Sequence, residues 1–410
     1  MKNLLNKIKT KKVNILLIGL GYVGLPLLKN ISKKGFNVLG LDNNKNLISN
    51  LEKKLKKNLF FNSYDKIDFS KIDIIILALP TPVDSKKKPN LSYIKNCINS
   101  IFPKLSKNKL IILESTSYPT TTEELVVSKF NTKFTIGKNF FIGYSPERED
   151  PGNKNFNIKN IPKIVSGKTD KCKLLVETFY SKICDSVVKS SSIEVAEMAK
   201  LYENIFRAVN ISLSNETKEI CKKINIEFNE VLELASTKPF GFMPFKPGPG
   251  VGGHCIPVDP FYLNWFLKKR NLSSKFIELS GKINSEMPKK IAHQIELILR
   301  KNNYKKKDKI LFLGLAYKKN IDDLRNSPSL EIFKYFYSKN YNIYYNDNFI
   351  PYLKINKNKI YSKKIDNKSY KVVVLLTDHD YYKKIKLKNK NQIVIDSRYF
   401  YKKIKNAYFV

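Results

Sequence analysis

A loop rich in glycine and proline, residues 244–263, surrounds one thiol. It holds four glycines and five prolines in twenty residues, a composition that excludes a continuous helix or strand. Cys255 lies at its centre, two residues after the Gly252-Gly253 pair, and Asp259 follows four residues later. A thiol becomes a nucleophile when a cation or a helix N-terminus lowers its pKa from about 8.5. The alternative is a buried structural cysteine in a tight turn, and only the rest of the chain decides between the two.

A glycine fingerprint follows the first apolar segment. Residues 13–18 are a short run of branched apolar residues, typical of a buried parallel strand. Gly19, Gly21 and Gly24 come next at the spacing GxGxxG, and a helical pattern and a second strand lead to Asp42. These glycines make the tight turn, let a pyrophosphate approach the backbone, and pack helix on strand. The unit predicts a dinucleotide site, and an acidic Asp42 without an adjacent arginine favours NAD over NADP.

Three further apolar strands, at 73–79, 109–113 and 140–143, each end in a polar loop. Because the carboxyl ends of parallel strands meet at one edge of a sheet, these loops are expected to lie near the cofactor. Ordinary turn chemistry is the alternative for any single loop. The loops contain Pro80 and Thr81, then Thr116, then Glu147 and Arg148.

A long helical pattern begins at Ile193 and continues to about Ile224 without proline or glycine. Lys200 and Asn204 are four residues apart, so they share one face of this helix. Taken alone, such a pair is more often solvated than catalytic. The helical character continues to residue 300, and a section of this kind suits a connection between domains or between subunits.

A second α/β pattern starts with the apolar strand at 309–313. It lacks a complete GxGxxG after this strand, although it otherwise resembles a nucleotide-binding fold. Its loops offer Lys318, Arg325 and Arg398, whose side chains suit contacts with phosphate or uracil. The chain is therefore expected to be α/β, with two Rossmann-like, doubly wound domains joined by a long central helix and a helical middle section. The expected domains are 1–192, 193–300 and 301–410.

The charge of the chain is extreme, at +39 for 410 residues, and would ordinarily suggest a nucleic-acid or membrane surface. The lysines are scattered through every segment, however, with asparagine and isoleucine similarly abundant. This is typical of a general composition bias, so neither nucleic acid nor membrane is expected as a partner.

Cysteines and histidines show no metal-ligand spacing. The five cysteines include no CxxC pair, which suits a reducing, cytoplasmic location. The three histidines do not have the spacing of metal ligands, so no metal site is expected. No apolar run reaches the roughly 18 residues of a membrane span. The basic N-terminus, residues 1–12, has no apolar core and is expected to be a short solvated lead-in.

Together these motifs resemble the UDP-glucose/GDP-mannose dehydrogenase family over nearly the whole chain. The order and spacing of the matching stretches are highly specific. They are GLGYVGLPL at 19–27, LPTPVD at 79–84, ESTSYPTTT at 114–122, SPERE at 145–149, AKLYENIFRAVNIS at 199–212, GPGVGGHCIPVDP at 248–260 and GLAYKKNIDDLRNSP at 314–328.

The resemblance implies a set of site residues for each task. The catalytic residues would be Cys255, Lys200, Asn204, Asp259, Glu147 and Thr116. The cofactor contacts would be Gly19, Gly21, Tyr22, Val23, Gly24, Asp42, Pro80, Thr81, Thr116 and Arg325. The substrate contacts would be Glu147, Arg148, Lys200, Asn204, Gly252, Lys318 and Arg398.

The family's chemistry is a double oxidation of a sugar C6 alcohol with NAD. Cys255 would carry a thiohemiacetal and then a thioester, which splits a difficult oxidation into easier steps. Lys200 and Asn204 would stabilise the oxyanion. Thr116 and Glu147 would hold the hydrolytic water, with Glu147 as general base, and Asp259 would assist proton transfer or orient Lys200.

The forms of the motifs around Cys255 and Glu147 resemble the branch acting on UDP-N-acetylhexosamines. Within it the chain most resembles UDP-N-acetylglucosamine 6-dehydrogenases; UDP-N-acetylgalactosamine, UDP-N-acetylmannosamine and UDP-glucose stay open as substrates. The resemblance also implies a homodimer formed through the helical middle and a role in bacterial surface polysaccharide synthesis. A nucleotide-sugar sensor on the same fold is the non-enzymatic alternative.

Overall fold

The protein folds into two compact units, which are described separately. The structure, a computed structural model, describes residues 1–55, 59–84, 87–149, 155–253, 256–366, 369–385, 387, 392–401, 404 and 407–410. The first unit comprises Met1–Glu203 with Trp265–Asn271, and the second comprises Asn204–Asn264 with Leu272–Val410. The division into three domains stays a prediction.

The first unit is built on an eight-stranded sheet. Its strands are β1 (Asn14–Ile18), β2 (Asn37–Leu41), β3 (Phe60–Phe61), β4 (Ile74–Leu77), β5 (Leu110–Leu113), β6 (Phe141–Tyr144), β7 (Lys163–Gly167) and β8 (Val187–Lys189). Their order is β3-β2-β1-β4-β5-β6-β7-β8. The strands from β3 to β6 are parallel, whereas β7 runs antiparallel to β6. The carboxyl ends of β1, β4, β5 and β6 therefore share one edge, as the sequence predicted.

The helices of the first unit are amphipathic and cover the sheet. They are α1 (Lys2–Lys9), α2 (Gly24–Lys33), α3 (Lys45–Leu55), α4 (Ser92–Ile101), α5 (Ser128–Asn131) and α6 (Asp170–Tyr180). The solvated lead-in expected at the N-terminus is wrong, because α1 buries Leu4 and Ile8 in the core of the unit. The Lys7 ammonium is also 2.8 Å from a carboxylate oxygen of Asp73. The spacing of Leu4 and Ile8, one helical turn apart, was the signal for this helix.

The second unit contains a five-stranded parallel sheet and a small hairpin. Its strands are β9 (Ile310–Leu313), β10 (Ile343–Asn346), β11 (Tyr352–Ile355), β12 (Asn358–Tyr361), β13 (Val372–Leu375), β14 (Ile393–Asp396) and β15 (Ala407–Phe409). The sheet order is β10-β9-β13-β14-β15, and β11 pairs antiparallel with β12. Phe312 and Phe333 pack edge to face in its core, with ring centroids 5.6 Å apart.

Long helices follow the first sheet, as the helical pattern predicted. They are α7 (Ile193–Lys223), α8 (Phe228–Ala235), α9 (Asp259–Lys268), α10 (Lys275–Lys301) and α11 (Pro328–Ser338). Residues of α7 and α9 belong to both units. Ser327 caps α11 by accepting the Leu330 N–H, and Pro328 occupies its first turn as expected. The α/β class with a Rossmann first domain, a long helix and a second parallel sheet is confirmed. Among the described residues, no helix combines the length and apolar character needed to span a bilayer.

Candidate active site

The loop between β1 and α2 has the shape that a dinucleotide needs. Gly19 has φ +95°, and a Cβ there would lie 2.3 Å from the Ala78 carbonyl oxygen. A Cβ on Gly24 would lie 1.8 Å from the Gly19 carbonyl oxygen, so only glycine permits this packing of helix on strand. Gly21, in contrast, has open space around it. Since no side chain caps α2, its N-terminal N–H groups and dipole suit the pyrophosphate of NAD.

Asp42 lies directly after β2, next to this glycine loop. One carboxylate oxygen accepts the Leu20 N–H at 2.9 Å, and the other accepts the Asn44 N–H at 2.9 Å. A carboxylate offers about four lone-pair directions, so acceptor capacity remains for a ribose hydroxyl. Tyr22 is exposed and Val23 is half-buried at the start of α2, both at the loop surface. These residues fit the NAD predicted from the sequence.

The loops that follow β4 and β5 are bonded to each other through Ser115. Its hydroxyl accepts the Leu79 N–H at 3.0 Å and donates to the Leu79 carbonyl at 2.8 Å. Pro80 is exposed and Thr81 half-buried in the first loop, and Thr116 is half-buried in the second. The two polar loops therefore form one edge of the sheet, on the same side as the glycine loop.

Glu197 fixes the rest of the loop that carries Thr116. This carboxylate on α7 is fully buried, and it accepts the Thr120 N–H at 2.7 Å and the Thr122 N–H at 2.9 Å. The hydroxyls of Thr122 and Ser117 also donate to it, at 2.6 and 3.3 Å. Burial raises the pKa of Glu197 to about 7 even though these donors lower it. Sequence analysis missed this residue, because a glutamate in a helix usually faces solvent.

Glu147 is buried and held from three directions. One carboxylate oxygen accepts the N–H groups of Arg148 and Glu149 at 2.8 and 2.7 Å, and the other lies 3.0 Å from the Lys163 ammonium. Burial opposes ionisation, but the Lys163 ammonium and these N–H groups lower the pKa of Glu147 below its ordinary value. Lys163 also bonds Glu114 at 3.1 Å and was not predicted. Its only sequence signal is a lysine that opens an apolar strand.

Arg148 is held in place beside α7. Its guanidinium lies 2.7 Å from a carboxylate oxygen of Glu203 and donates to the Pro162 carbonyl at 2.7 Å. The arginine is half-buried, so the charge is paired within the first unit rather than free in solvent.

The predicted pair on α7 is buried, not solvated. Lys200 is 8% exposed and Asn204 is 6% exposed. In the second unit, the Asn204 amide donates to Asp259 at 2.5 Å, and Asp259 is the first residue of α9 and 1% exposed. An acid at this position also interacts favourably with the helix dipole. Burying a polar side chain is costly unless it is hydrogen-bonded, and the Asp259 carboxylate supplies that partner for Asn204.

Cys255 and its neighbour His254 lie outside the described residues, but the glycines before them are described. A Cβ on Gly252 would lie 2.5 Å from the Tyr317 Cβ, which makes glycine necessary. Gly253 donates its N–H to the Arg325 carbonyl at 3.1 Å. The thiol loop is therefore attached to the loop after β9.

The loop after β9 carries two of the predicted cations of the second unit, Lys318 and Arg325. The Arg325 guanidinium makes a bidentate contact with Asp323, at 2.8 and 2.6 Å, and the side chain is partly exposed. Lys318 is half-buried. Arg325 is thus oriented by a neighbouring carboxylate through a bidentate, charge-assisted contact.

Arg398 borders a small cleft of the second unit. Its Nε donates to the Leu376 carbonyl at 2.9 Å, and a Cβ on Gly248 would lie 2.7 Å from one of its terminal nitrogens. Lys218 and Lys246 also line the cleft. The carboxyl groups of Glu233 and Asp396 line the same cleft, so its cationic side chains outnumber its acidic ones by three to two.

The loop after β9, in the second sheet, resembles the glycine loop after β1, because its backbone N–H groups also donate to an acidic residue at the end of the neighbouring strand. Asp347 follows β10 as Asp42 follows β2, yet its carboxylate accepts the Leu315, Ala316 and Phe349 N–H groups at 2.8, 3.1 and 2.9 Å. The fourth contact is His379 Nε2, at 3.1 Å. Three of these contacts are on Oδ2 and one is on Oδ1, so the Asp347 carboxylate has more partners within the chain than Asp42 has.

Comparisons with known proteins agree with this arrangement. The family models of the UDP-glucose/GDP-mannose dehydrogenase family match in order: the NAD binding domain at residues 13–184, the central domain at 194–286 and the UDP binding domain at 311–403.

Curated relatives cover most of the chain. The UDP-N-acetyl-D-glucosamine 6-dehydrogenase of Pseudomonas aeruginosa is 36% identical over 339 residues, which are 78% of this chain and 79% of the relative. The UDP-N-acetyl-D-mannosamine dehydrogenase of Methanocaldococcus jannaschii is 31% identical over 408 residues, 94% of this chain and 92% of the relative. A solved structure of the UDP-D-ManNAc dehydrogenase from Pyrococcus horikoshii matches with a TM-score of 0.84 and 28% identity, covering 95% of this chain and 96% of that one. The chain therefore belongs to the UDP-glucose/GDP-mannose dehydrogenase family and is an NAD-dependent UDP-sugar dehydrogenase.

Proposed function

We propose that the protein oxidises the C6 alcohol of a UDP-N-acetylhexosamine to the carboxylate through covalent intermediates on Cys255. The observation that carries this is the buried polar set on α7 and α9, in which Asn204 bonds Asp259 four residues after Cys255. Lys200 lies one turn before Asn204 on the same helix, and it is buried as well.

The residues then have distinct tasks. NAD, when bound, accepts a hydride from the sugar carbon in each of two oxidations. After the first oxidation, the Cys255 sulfur adds to the aldehyde carbon, and the resulting thiohemiacetal is oxidised to a thioester. Water cleaves the C–S bond, giving the carboxylate and the free thiol. The overall reaction consumes one alcohol, one water and two NAD⁺, and it releases the carboxylate, two NADH and three protons.

Charged and polar side chains stabilise these steps. Lys200 and Asn204 donate to the oxyanion that develops at C6, an effect worth roughly a hundredfold or more in rate per donor. Asp259, held by Asn204, orients this pair. Glu147 and Thr116 hold the hydrolytic water. Because the pKa of Glu147 is lowered, we assign this carboxylate to orienting the water more than to storing its proton.

The substrate is proposed from the motifs and the relatives. Relatives named for UDP-N-acetylglucosamine and for UDP-N-acetylmannosamine both cover most of the chain, which supports the N-acetylhexosamine class. UDP-N-acetylglucosamine remains our first choice, with the galactosamine and mannosamine epimers and UDP-glucose as alternatives. The cleft beside Arg398 is proposed for the uridine diphosphate, and the product would enter bacterial surface polysaccharide synthesis.

The long helices support the proposal of a homodimer. Large apolar side chains of α7 are exposed on the single chain, with Tyr202 at 64% and Leu213 at 57%. A row of this kind on a water-facing helix favours a protein partner, here a second copy. Cytosolic action is also proposed, since Cys97, Cys172, Cys184 and Cys221 are free thiols.

The test is NADH formation by purified protein with NAD and a panel of UDP-sugars, alongside Cys255→Ala. We expect two NADH per UDP-N-acetylglucosamine, and no carboxylate from the variant. Two NADH from another UDP-sugar alone would keep the chemistry and correct the substrate. Binding of NAD and UDP-sugar without any NADH would overturn the enzymatic proposal and favour a nucleotide-sugar sensor.

A further inference from the structure

A buried ionic network lies at the carboxyl edge of the first sheet. It joins Tyr180, Glu114, Lys163 and Glu147, and none of these side chains is more than 9% exposed. The Lys163 ammonium is 3.1 Å from Glu114 and 3.0 Å from Glu147, and the Tyr180 hydroxyl donates to the other oxygen of Glu114. The ammonium also lies 5.1 Å from the centre of the Tyr180 ring.

The sheet topology explains why a lysine reaches this edge. Glu114 directly follows β5, and Glu147 comes shortly after β6. Both carboxylates therefore lie at the edge of the sheet where these parallel strands end. Strand β7 runs antiparallel to β6, so its first residue, Lys163, starts at the edge where the parallel strands end. The antiparallel strand β7 thus brings the Lys163 ammonium to two carboxylates that follow parallel strands.

The charge count of the network is unequal, since two carboxylates share one ammonium. Burial raises the pKa of Glu114, whereas Lys163 and two backbone N–H groups overcome the effect of burial at Glu147 and lower its pKa. Glu147 is therefore the more readily ionised of the two carboxylates. Glu147 stays ionised with a fixed orientation.

The contacts of Glu147 also restrict what it can still bind. A carboxylate has about four lone-pair directions. Among the described residues, Lys163 and the N–H groups of Arg148 and Glu149 occupy three. One acceptor direction remains for the water that Glu147 is proposed to hold.

We propose that Lys163, anchored by Glu114 and Tyr180, is a positioning residue that fixes the orientation of Glu147 and of its remaining acceptor direction, and so supports the part that Glu147 is proposed to play in hydrolysis. This inference rests on the proposed function. Lys163 acts on hydrolysis alone, and hydride transfer does not depend on it.

The test separates the two stages of the reaction. Rapid mixing of Lys163→Met with NAD and the UDP-sugar that the wild type oxidises should give a burst of up to two NADH per subunit. Steady turnover should then be roughly a hundredfold slower than in the wild type, the loss expected when a reacting group is misplaced by about 1 Å. Mass spectrometry of the quenched enzyme should show an acyl group on Cys255. Lys163→Arg, which keeps the charge, should restore part of the turnover and reduce the acyl-enzyme.

Lys109 provides a matched control at the opposite end of β5. It is 4% exposed, and its ammonium donates to the Ile72 carbonyl at 2.5 Å. Lys109→Met removes an equally buried ammonium from the same sheet. We expect this control to lose a similar amount of stability to Lys163→Met but to show no NADH burst. If Lys163→Met does not fold, the double variant Lys163→Met/Glu114→Gln removes one charge of each sign and takes its place.

The outcomes distinguish this inference from the function on which it rests. If the wild type forms no NADH, the proposed function fails first. If the wild type is active and the folded lysine variant shows no burst and no acyl-enzyme, or slows both hydride transfers as much as hydrolysis, the positioning role is overturned.

Discussion

Replacing Glu197 with glutamine should change how the stability of the protein depends on pH. The carboxyl of Glu197 is fully buried and has a pKa of about 7, against an ordinary value of 4.5. A carboxyl whose pKa is raised by folding stabilises the folded state below about pH 4.5, and this contribution is lost as the pH rises through about 7. The shift corresponds to about 3 kcal/mol, since one pKa unit is 1.36 kcal/mol.

Glutamine has no proton to lose, so it escapes this loss. Its amide oxygen can still accept from Thr122, but its NH₂ group faces the Thr120 N–H, and this mismatch lowers stability at every pH by a constant amount. We therefore expect the difference in unfolding free energy between Glu197→Gln and the wild type to move by about 2.5 kcal/mol in favour of the variant between pH 5 and pH 8.

Urea unfolding followed by circular dichroism at several pH values measures this difference. Glu216→Gln is the control, because Glu216 lies on the same helix but is exposed, and its difference from the wild type should stay flat. A flat difference for Glu197→Gln as well would refute the reasoning, and it would mean that the four hydrogen-bond donors outweigh burial.

Two further predictions concern the cofactor and the assembly. Gly24→Ala places a Cβ 1.8 Å from the Gly19 carbonyl oxygen. The backbone must move, and we expect NAD affinity, measured by fluorescence titration with NADH, to fall roughly tenfold or more; unchanged affinity would contradict the role of this contact. Tyr202→Glu puts a charge on the exposed apolar face of α7, so we expect light scattering to show a dimer for the wild type and a monomer for the variant. Equal masses would argue against dimerisation through this face.

The sequence was sufficient for the parts of the fold that repeat a local pattern. Apolar runs such as 13–18 and 109–113 predicted buried parallel strands, because a strand covered on both faces has no need of polar residues. The long uninterrupted pattern from Ile193 predicted α7 almost to its last residue. The glycine loop was predictable because each of its three glycines has a separate task in the GxGxxG motif.

Residues that act through distant partners were not predictable. Lys163 meets Glu114 across 49 positions of the chain, and no local pattern links them. Lys163 and Glu114 meet because β7 runs antiparallel to β6, and the amino-acid composition of a strand does not reveal its direction. Glu197 was missed for a similar reason, since its partners come from a loop 75 residues earlier.

Asp347 has a consequence for the timing of the reaction. Its carboxylate already has four contacts from within the chain, and the loop after β9 lacks a complete GxGxxG, so the fitted dinucleotide loop among the described residues is the one after β1. If the two proposed oxidations occur at this one loop, the spent cofactor must leave and a fresh one must enter while the sugar is still half-oxidised. A bond to Cys255 would keep that sugar from diffusing away, and reagents that trap free aldehydes should capture none during turnover.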